Sequence, residues 1–329
     1  MRRCFIHIGT HKTGTTAVQQ LLSRNESRLQ QMGYLYPKAG RLERLPGQHN
    51  LAWQISGDRR FRDNHGTIDD LIREIKNSSD DVILSSEDFE CSLYHTPTLS
   101  GFISLLQSHG FLVTVILYVR NQIDYLPRLY LTLLHSGLDL TFDKVLGPTL
   151  VQGEFHWHEW IFNFDYCDLL RRIDENANVD VIVRSYDQAR TAVCRDFLSI
   201  FNLTLGDLDV EDEVFANMSG PLEGYVRAFL RNRTGRQLLE DESRVLDNLI
   251  PEEANRIELS PRVRLDLSER FRETNRNLFT KYGIPEHKME STGRVQDFPQ
   301  QPYVDKLFNE NLEAILSEPL EERTIAKGS

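Results

Sequence analysis

Four threonines, a histidine and a lysine gather around two glycines in Gly9-Thr10-His11-Lys12-Thr13-Gly14-Thr15-Thr16. These are the groups that hold an oxyanion. Glycine lets the backbone approach it closely, threonine hydroxyls donate hydrogen bonds, and lysine adds a mobile positive charge. Cys4, Phe5, Ile6 and Ile8 before the run read as a short buried strand, and Ala17, Val18, Leu21 and Leu22 after it recur at helical spacing. A glycine-containing turn that enters a helix gathers unpaired N–H groups at the positive end of the helix dipole. The stretch is therefore expected to cradle a phosphate or a sulfate; a plain strand-to-helix connector needs neither the lysine nor the threonines. The position of the lysine narrows the choice. A nucleoside-triphosphate loop places it directly after the second glycine, whereas Thr15 stands there and Lys12 comes two residues before Gly14.

Further polar residues follow apolar runs. Ser85-Ser86-Glu87-Asp88 comes after Val82-Ile83-Leu84, Arg120 closes Leu112 to Val119, and Arg184-Ser185-Tyr186 ends the run from Val179. Arg120 suits either an ion pair with Asp124 or Glu87 or a bidentate phosphate contact. His49 lies in a loop beside Asn50, and Asp187 has the chemistry of a helix cap. His156-Trp157-His158-Glu159 has a metal-like spacing common in exposed turns and lacks an obvious third ligand, so no metal site is expected. Trp157 and Trp160 suit packing on a following helix or lining a groove where a sugar stacks.

Positioning these groups requires strands that alternate with helices. The run from Leu112 to Val119 is continuous in the manner of a central parallel strand. Gly33 to Pro37 is expected as a short strand, Ile68 to Lys76 and Leu99 to Ser108 as helices. Residues 38–66 are expected as a surface excursion holding a short helix from Leu51 to Ile55. A helix over 121–136 should kink or start late at Pro127, 137–153 should be loop, and helices should run from about His158 to Ile173 and from Arg190 to Phe201. The expected fold is α/β, a P-loop-like central parallel sheet with helices on both faces and a helical C-terminal region. In such a sheet the carboxyl ends of the strands share one edge, where ligands bind. Residues 1–285 are expected to form this domain, and 286–329 a polar extension with one peripheral helix from Tyr303 to Leu316.

With 38 Lys and Arg against 49 Asp and Glu, the formal net charge is −11, which argues against a general nucleic-acid binder. No apolar run approaches the roughly 20 residues of a membrane span. Met1-Arg2-Arg3 leads directly into the first strand, so a cytoplasmic protein is expected. The cysteines Cys4, Cys91, Cys167 and Cys194 are widely spaced and read as reduced thiols. The oligomeric state is not legible.

Lys12-Thr13-Gly14-Thr15-Thr16, between strand and helix, resembles the 5′-phosphosulfate loop of sulfotransferases that use 3′-phosphoadenosine 5′-phosphosulfate (PAPS), a motif written Lys-x-Gly-Thr-Thr or Lys-x-Gly-Thr-Ser. The resemblance covers about residues 4–220. It implies that PAPS is bound by His11, Lys12, Thr13, Gly14, Thr15, Thr16 and Arg120, leaving adenosine 3′,5′-bisphosphate as product. The family places an arginine at a strand end and a serine about eight residues on around the 3′-phosphate; Arg120 matches the first, and Arg128 stands in place of the serine. The resemblance implies sulfuryl transfer to a hydroxyl of a small molecule or glycan, with Lys12 offsetting leaving-group charge. Glu87 is the first candidate for the base, with Asp88 competing, and His49 is the second. Tyr186-Asp187 is similar to a Tyr-Glu-Asp stretch of the family. Two other readings remain open: a P-loop-type nucleotide kinase or NTPase, and a non-catalytic nucleotide-binding protein.

Overall fold

A computed structural model describes residues 1–94, 99–176, 179–208, 222–236, 258–284 and 303–311. The chain divides into two compact units. The first comprises Met1–Asn121, Gly153–Asn217 and Arg272–Glu290; the second comprises Gln122–Gln152, Met218–Phe271 and Ser291–Ser329.

The first unit is built on a parallel sheet of five strands. In chain order these are β1 (Arg2–Gly9), β2 (Tyr34–Leu35), β3 (Asp81–Ser85), β4 (Phe111–Val119) and a last strand, Asp180–Ser185, numbered β7 below. Their spatial order is β2-β3-β1-β4-β7. The first strand thus lies in the middle, and the chain places β2 and β3 on one side of it and β4 and β7 on the other. Its carboxyl end sits where the strand order reverses, the place where open α/β sheets bind ligands.

Alternation along the strands supplies two cores. Cys4, Ile6 and Ile8 of β1 join Leu84, Val115 and Leu117 on one face. That face is covered by α3 (His49–Ser56), α4 (Ile68–Lys76), α5 (Leu99–Ser108) and α8 (Tyr166–Asn176), which contribute Leu51, Leu71, Leu106 and Leu169. Phe5, Ile83, Ile116 and Tyr118 point to the other face. There they meet Val18 and Leu22 of α1 (Thr15–Arg24), Leu29 of α2 (Glu26–Gln31) and Phe197 of α10 (Val193–Ser199). Helices therefore cover both faces, as the alternation of strands and helices requires.

Several local expectations are corrected. The start of the 38–66 segment's helix is no surface excursion: Gln48 and Asn50 are buried, because Gln48 clasps the end of β3. Its N–H donates to the Ser85 carbonyl and its Oε1 accepts from the Ser85 N–H, both at 2.8 Å. Residues 154–163 form a hairpin of β5 (Glu154–Trp157) and β6 (Trp160–Asn163), so the helix expected from His158 begins only at Tyr166. The aromatic and β-branched residues flanking the two-residue turn His158-Glu159 carry a strand signal. The helix expected over 190–201 is the shorter α10, and a separate turn of helix, α9 (Tyr186–Ala189), precedes it.

The second unit is helical among its described residues, with α6 (Gln122–His135), α7 (Phe142–Gln152) and α11 (Leu222–Thr234). The expected loop over 137–153 thus contains a helix, whose buried Phe142, Val145, Leu146 and Thr149 repeat at helical spacing. Helix α6 starts at Gln122 with Pro127 inside it, not late. Tyr130 packs edge-on against Phe142 and Phe308, at 5.1 and 5.2 Å between centroids. Val304, Leu307 and Phe308 are fully buried, so the described part of the helix expected from Tyr303 is core, not periphery; residues 312–316 lie outside the described residues. Helix α12 (Pro261–Tyr282) contributes residues to both units. The boundary expected at 286 lies outside the described residues. No helix among the described residues is long and apolar enough to cross a membrane.

Candidate active site

The loop after β1 is held from below. The Thr10 N–H and hydroxyl both donate to the Tyr118 carbonyl of β4, at 3.0 and 3.3 Å, and the Thr13 hydroxyl donates to the Thr10 carbonyl. Thr13 is fully buried, so its proton stays within the loop. Lys12 adopts φ 60°, a left-handed conformation that costs a non-glycine residue energy and marks functional turns. Gly14 caps α1 at φ 80° with no side-chain cap, and the first helical bonds run from Ala17 and Val18 to its carbonyl. The amides of Thr15 and Thr16 precede that ladder, at the positive end of the helix. Lys12 and Thr16 are exposed beside them. A side chain at Gly14 would meet Tyr186 and Val193 at 3.1 Å, so the loop lies close on α9 and α10.

Arg120 belongs to the same edge. Its Nη1 donates to the Lys12 carbonyl at 2.7 Å, and its guanidinium carbon stands 4.8 Å from the Tyr186 ring centroid. The Tyr166 hydroxyl donates to the Arg120 carbonyl at 2.6 Å. The Asp187 carboxylate accepts from the Asn121 N–H at 2.6 Å, so Asp187 fastens the residue after Arg120 and does not cap a helix. Arg128 lies on α6 in the second unit, where its guanidinium bonds the carbonyl of Asp124 at 2.8 Å.

The end of β3 runs into a 3-10 helix, Glu87–Leu93, capped by Ser86. Glu87 abuts the loop: a Cβ on Gly9 would stand 3.0 Å from its Cα and Cβ. Its Oε2 accepts from Gln19 Nε2 of α1 at 2.8 Å. Asp88 is more heavily engaged. Its Oδ2 accepts from His49 Nδ1 at 3.0 Å and Trp53 Nε1 at 2.9 Å, and its Oδ1 lies 3.6 Å from Arg60 Nη2 and 3.9 Å from His11 Nε2. Glu90, also buried, accepts from both the backbone and side-chain N–H of Asn163 at 2.8 Å and pairs with His11 Nδ1 at 3.2 Å.

The charges sustain one another. Burial works against ionised Glu87, but the charges of His49 and then His11 outweigh it and hold its carboxyl below the usual range. Burial likewise opposes ionised Asp88, yet the His49 hydrogen bond and charge, with Arg60, hold it well below that range. For His49, the Glu87 charge and the Asp88 hydrogen bond overcome burial and raise the imidazole above its ordinary value. For His11, Glu90 does the same. The result is an edge with ionised carboxylates and readily protonated imidazoles.

Of the residues expected at the site, His11, Lys12, Glu87, His49 and Arg120 are thus linked to the loop directly or through one neighbour. Gln19, Glu90, Arg60 and Asn163 were not anticipated. Gln19 carries a sequence signal, a polar residue within the buried face of α1 beside Val18 and Leu22. The others depend on contacts between distant segments. Arg60 stacks between Trp53 and Trp160, 4.6 Å from each ring centroid, and Trp160 lies 5.2 Å from Trp157 at the hairpin tip. Trp157 and Trp160 lie on the two strands of the hairpin. His156 pairs with Glu154 at 2.7 Å, and the described residues contain no cluster of metal-ligating side chains.

No protein-family model and no curated protein matches the chain. Among solved structures, a sulfotransferase from Alicyclobacillus acidocaldarius aligns with a TM-score of 0.42 at 16% identity, over 70% of this chain and 93% of that one. So slight a likeness bears no weight for chemistry, which rests on the residues.

Proposed function

We propose that the chain is a sulfotransferase that moves a sulfuryl group from PAPS to a hydroxyl acceptor, a small molecule or a glycan. The observation that carries this reading is the Lys12-Thr13-Gly14-Thr15-Thr16 turn at the carboxyl end of the middle strand, with Arg120 bonded to the Lys12 carbonyl. The donor set suits the ligand: two amides at a helix N-terminus, the Thr15 and Thr16 hydroxyls and an exposed lysine for the 5′-phosphosulfate, and a guanidinium for the 3′-phosphate. Thr15 in the position a triphosphate loop gives to lysine favours this ligand over a triphosphate.

The donor supplies an activated sulfuryl group, and the protein's task is positioning and electrostatics. Lys12 and the loop amides offset negative charge that grows on the departing oxygen. Glu87 or His49 receives the acceptor proton. Asp88 leaves the competition for that role because His49, Trp53 and Arg60 occupy its oxygens. Arg128 stays a proposal for a second charge on the 3′-phosphate. Incubating the protein with sulfur-labelled PAPS and a panel of neutral glycosides, lipids and phenols tests the reading. Labelled product with release of adenosine 3′,5′-bisphosphate is expected; no transfer to any hydroxyl, together with hydrolysis of ATP–Mg, would overturn it.

A further inference from the structure

His49 opens α3, and Gln48 fixes it against the end of β3. The ring is 4% exposed. Its Nδ1 lies 3.0 Å from Asp88 Oδ2 and 2.9 Å from Ser86 Oγ. An unprotonated Nδ1 would press a lone pair against a carboxylate, so the proton of the neutral ring belongs on Nδ1. That leaves Nε2 with a lone pair, and Nε2 is buried with no hydrogen-bond partner among the described residues. A buried acceptor without a donor is costly and calls for an explanation. An O–H group would satisfy it.

We infer that Asp88 is a positioning residue that holds His49 in the Nδ1–H form, so that Nε2 receives the acceptor hydroxyl and, of the two candidate bases Glu87 and His49, it is His49 that takes the proton. This deepens the reading above and rests on it. Nε2 takes the O–H proton as the new O–S bond forms and the donor's S–O bond breaks, and the electron pair of that bond leaves with adenosine 3′,5′-bisphosphate. The imidazolium then faces two carboxylates, Glu87 and Asp88, against a single guanidinium, Arg60. Asp88 is equipped for the task because it is itself immobilised: Trp53 shares Oδ2, Arg60 and His11 flank Oδ1, and its own N–H donates to Ser86 Oγ at 3.2 Å.

His7 makes a useful contrast. Its Nε2 is also buried without a described partner, but its Nδ1 meets the hydroxyl of Ser85 at 2.9 Å instead of a carboxylate, and Tyr118 and Phe197 pack on the ring. Among the described residues, nothing there stabilises an imidazolium through a direct ion pair.

The test is nitrogen NMR of the full-length, histidine-labelled protein, with pH profiles of sulfuryl transfer by wild type and Asp88→Asn. Wild type should show neutral His49 protonated on Nδ1. In Asp88→Asn the tautomers should mix, kcat should fall roughly 10²-fold with KM for PAPS within about twofold, and the acid limb of kcat/KM should move to lower pH. His49→Gln should abolish that limb. Neutral His49 protonated on Nε2 in wild type, or an unmoved acid limb in Asp88→Asn, would overturn the inference. Should Asp88→Asn not fold, the wild-type tautomer and the His49→Gln profile decide. Absence of transfer by wild type would instead sink the sulfotransferase reading and leave the tautomer measurement standing.

Discussion

At the scale of single residues, the site consists of charges kept by their neighbours. Lys12 is exposed at the mouth of an N-terminal cradle, and in the proposed reaction it would follow the leaving oxygen as charge develops. Lys12→Ala should therefore reduce turnover by ~10²–10³, while binding of adenosine 3′,5′-bisphosphate, measured by calorimetry, survives in part. Unchanged turnover would remove Lys12 from the mechanism. The histidines divide by environment. Burial pushes His7 down to about 4 although the Glu87 charge opposes it, whereas His49 is raised. A depressed histidine contributes stability above its unfolded value, near 6.5. That contribution is lost as pH falls towards 4, and the shift from 6.5 to about 4 corresponds to roughly 3 kcal/mol. A raised histidine does the reverse: its contribution is complete below about 6.5 and disappears as pH climbs through the folded value. Proton NMR should accordingly show the His7 ring constant between about pH 5.5 and 8 while His49 titrates above 6.5; a His7 midpoint near 6.5 would contradict this.

At the scale of elements, the loop and the 3-10 helix are two strand ends pressed together. Gly9 sits at φ 85° with Glu87 directly over the position of its absent Cβ. Gly9→Ala forces a left-handed alanine into contact with Glu87. Thermal denaturation should show a loss of about 1–3 kcal/mol, accompanied by weaker donor binding; an unshifted transition would mean that the two strand ends are not in contact. The same view explains what could be read in advance. Strand β1, the loop and helix α1 were legible because apolar spacing, glycine placement and chemistry agree within one short window. The Glu90–Asn163 and Asp88–Trp53 pairs were not, because they join segments tens of residues apart. The hairpin Glu154–Asn163 was misread as the start of a helix, since four-residue strands give periodicity little to act on. Gln48 was invisible in its role: a side chain that completes a strand end looks like any loop glutamine until the strand is in place.

At the scale of the molecule, the formal net charge is −11. Arg60 is paired with Asp58 at 2.5 Å and Arg59 with Glu159 at 3.2 Å, so both guanidiniums already have carboxylate partners. A polyanionic acceptor would meet a repelling field, one that salt screens over about 10 Å at 0.1 M. Initial rates of sulfate transfer at low salt should favour neutral hydroxyl acceptors over polysulfated or polycarboxylated glycans, and the gap should narrow as salt is added. A preference for polyanions that weakens with salt would place an unneutralised basic surface at the site.

One titration bears on the whole account. Adenosine 3′,5′-bisphosphate and ATP–Mg are each titrated into the protein by calorimetry, with Arg120→Met in parallel. The bisphosphate should bind with one-to-one stoichiometry, lose at least roughly tenfold in affinity in Arg120→Met, and outcompete ATP–Mg. Tight binding of ATP–Mg with none of the bisphosphate, or equal affinity in Arg120→Met, would mean that the cradle serves a triphosphate or no nucleotide at all.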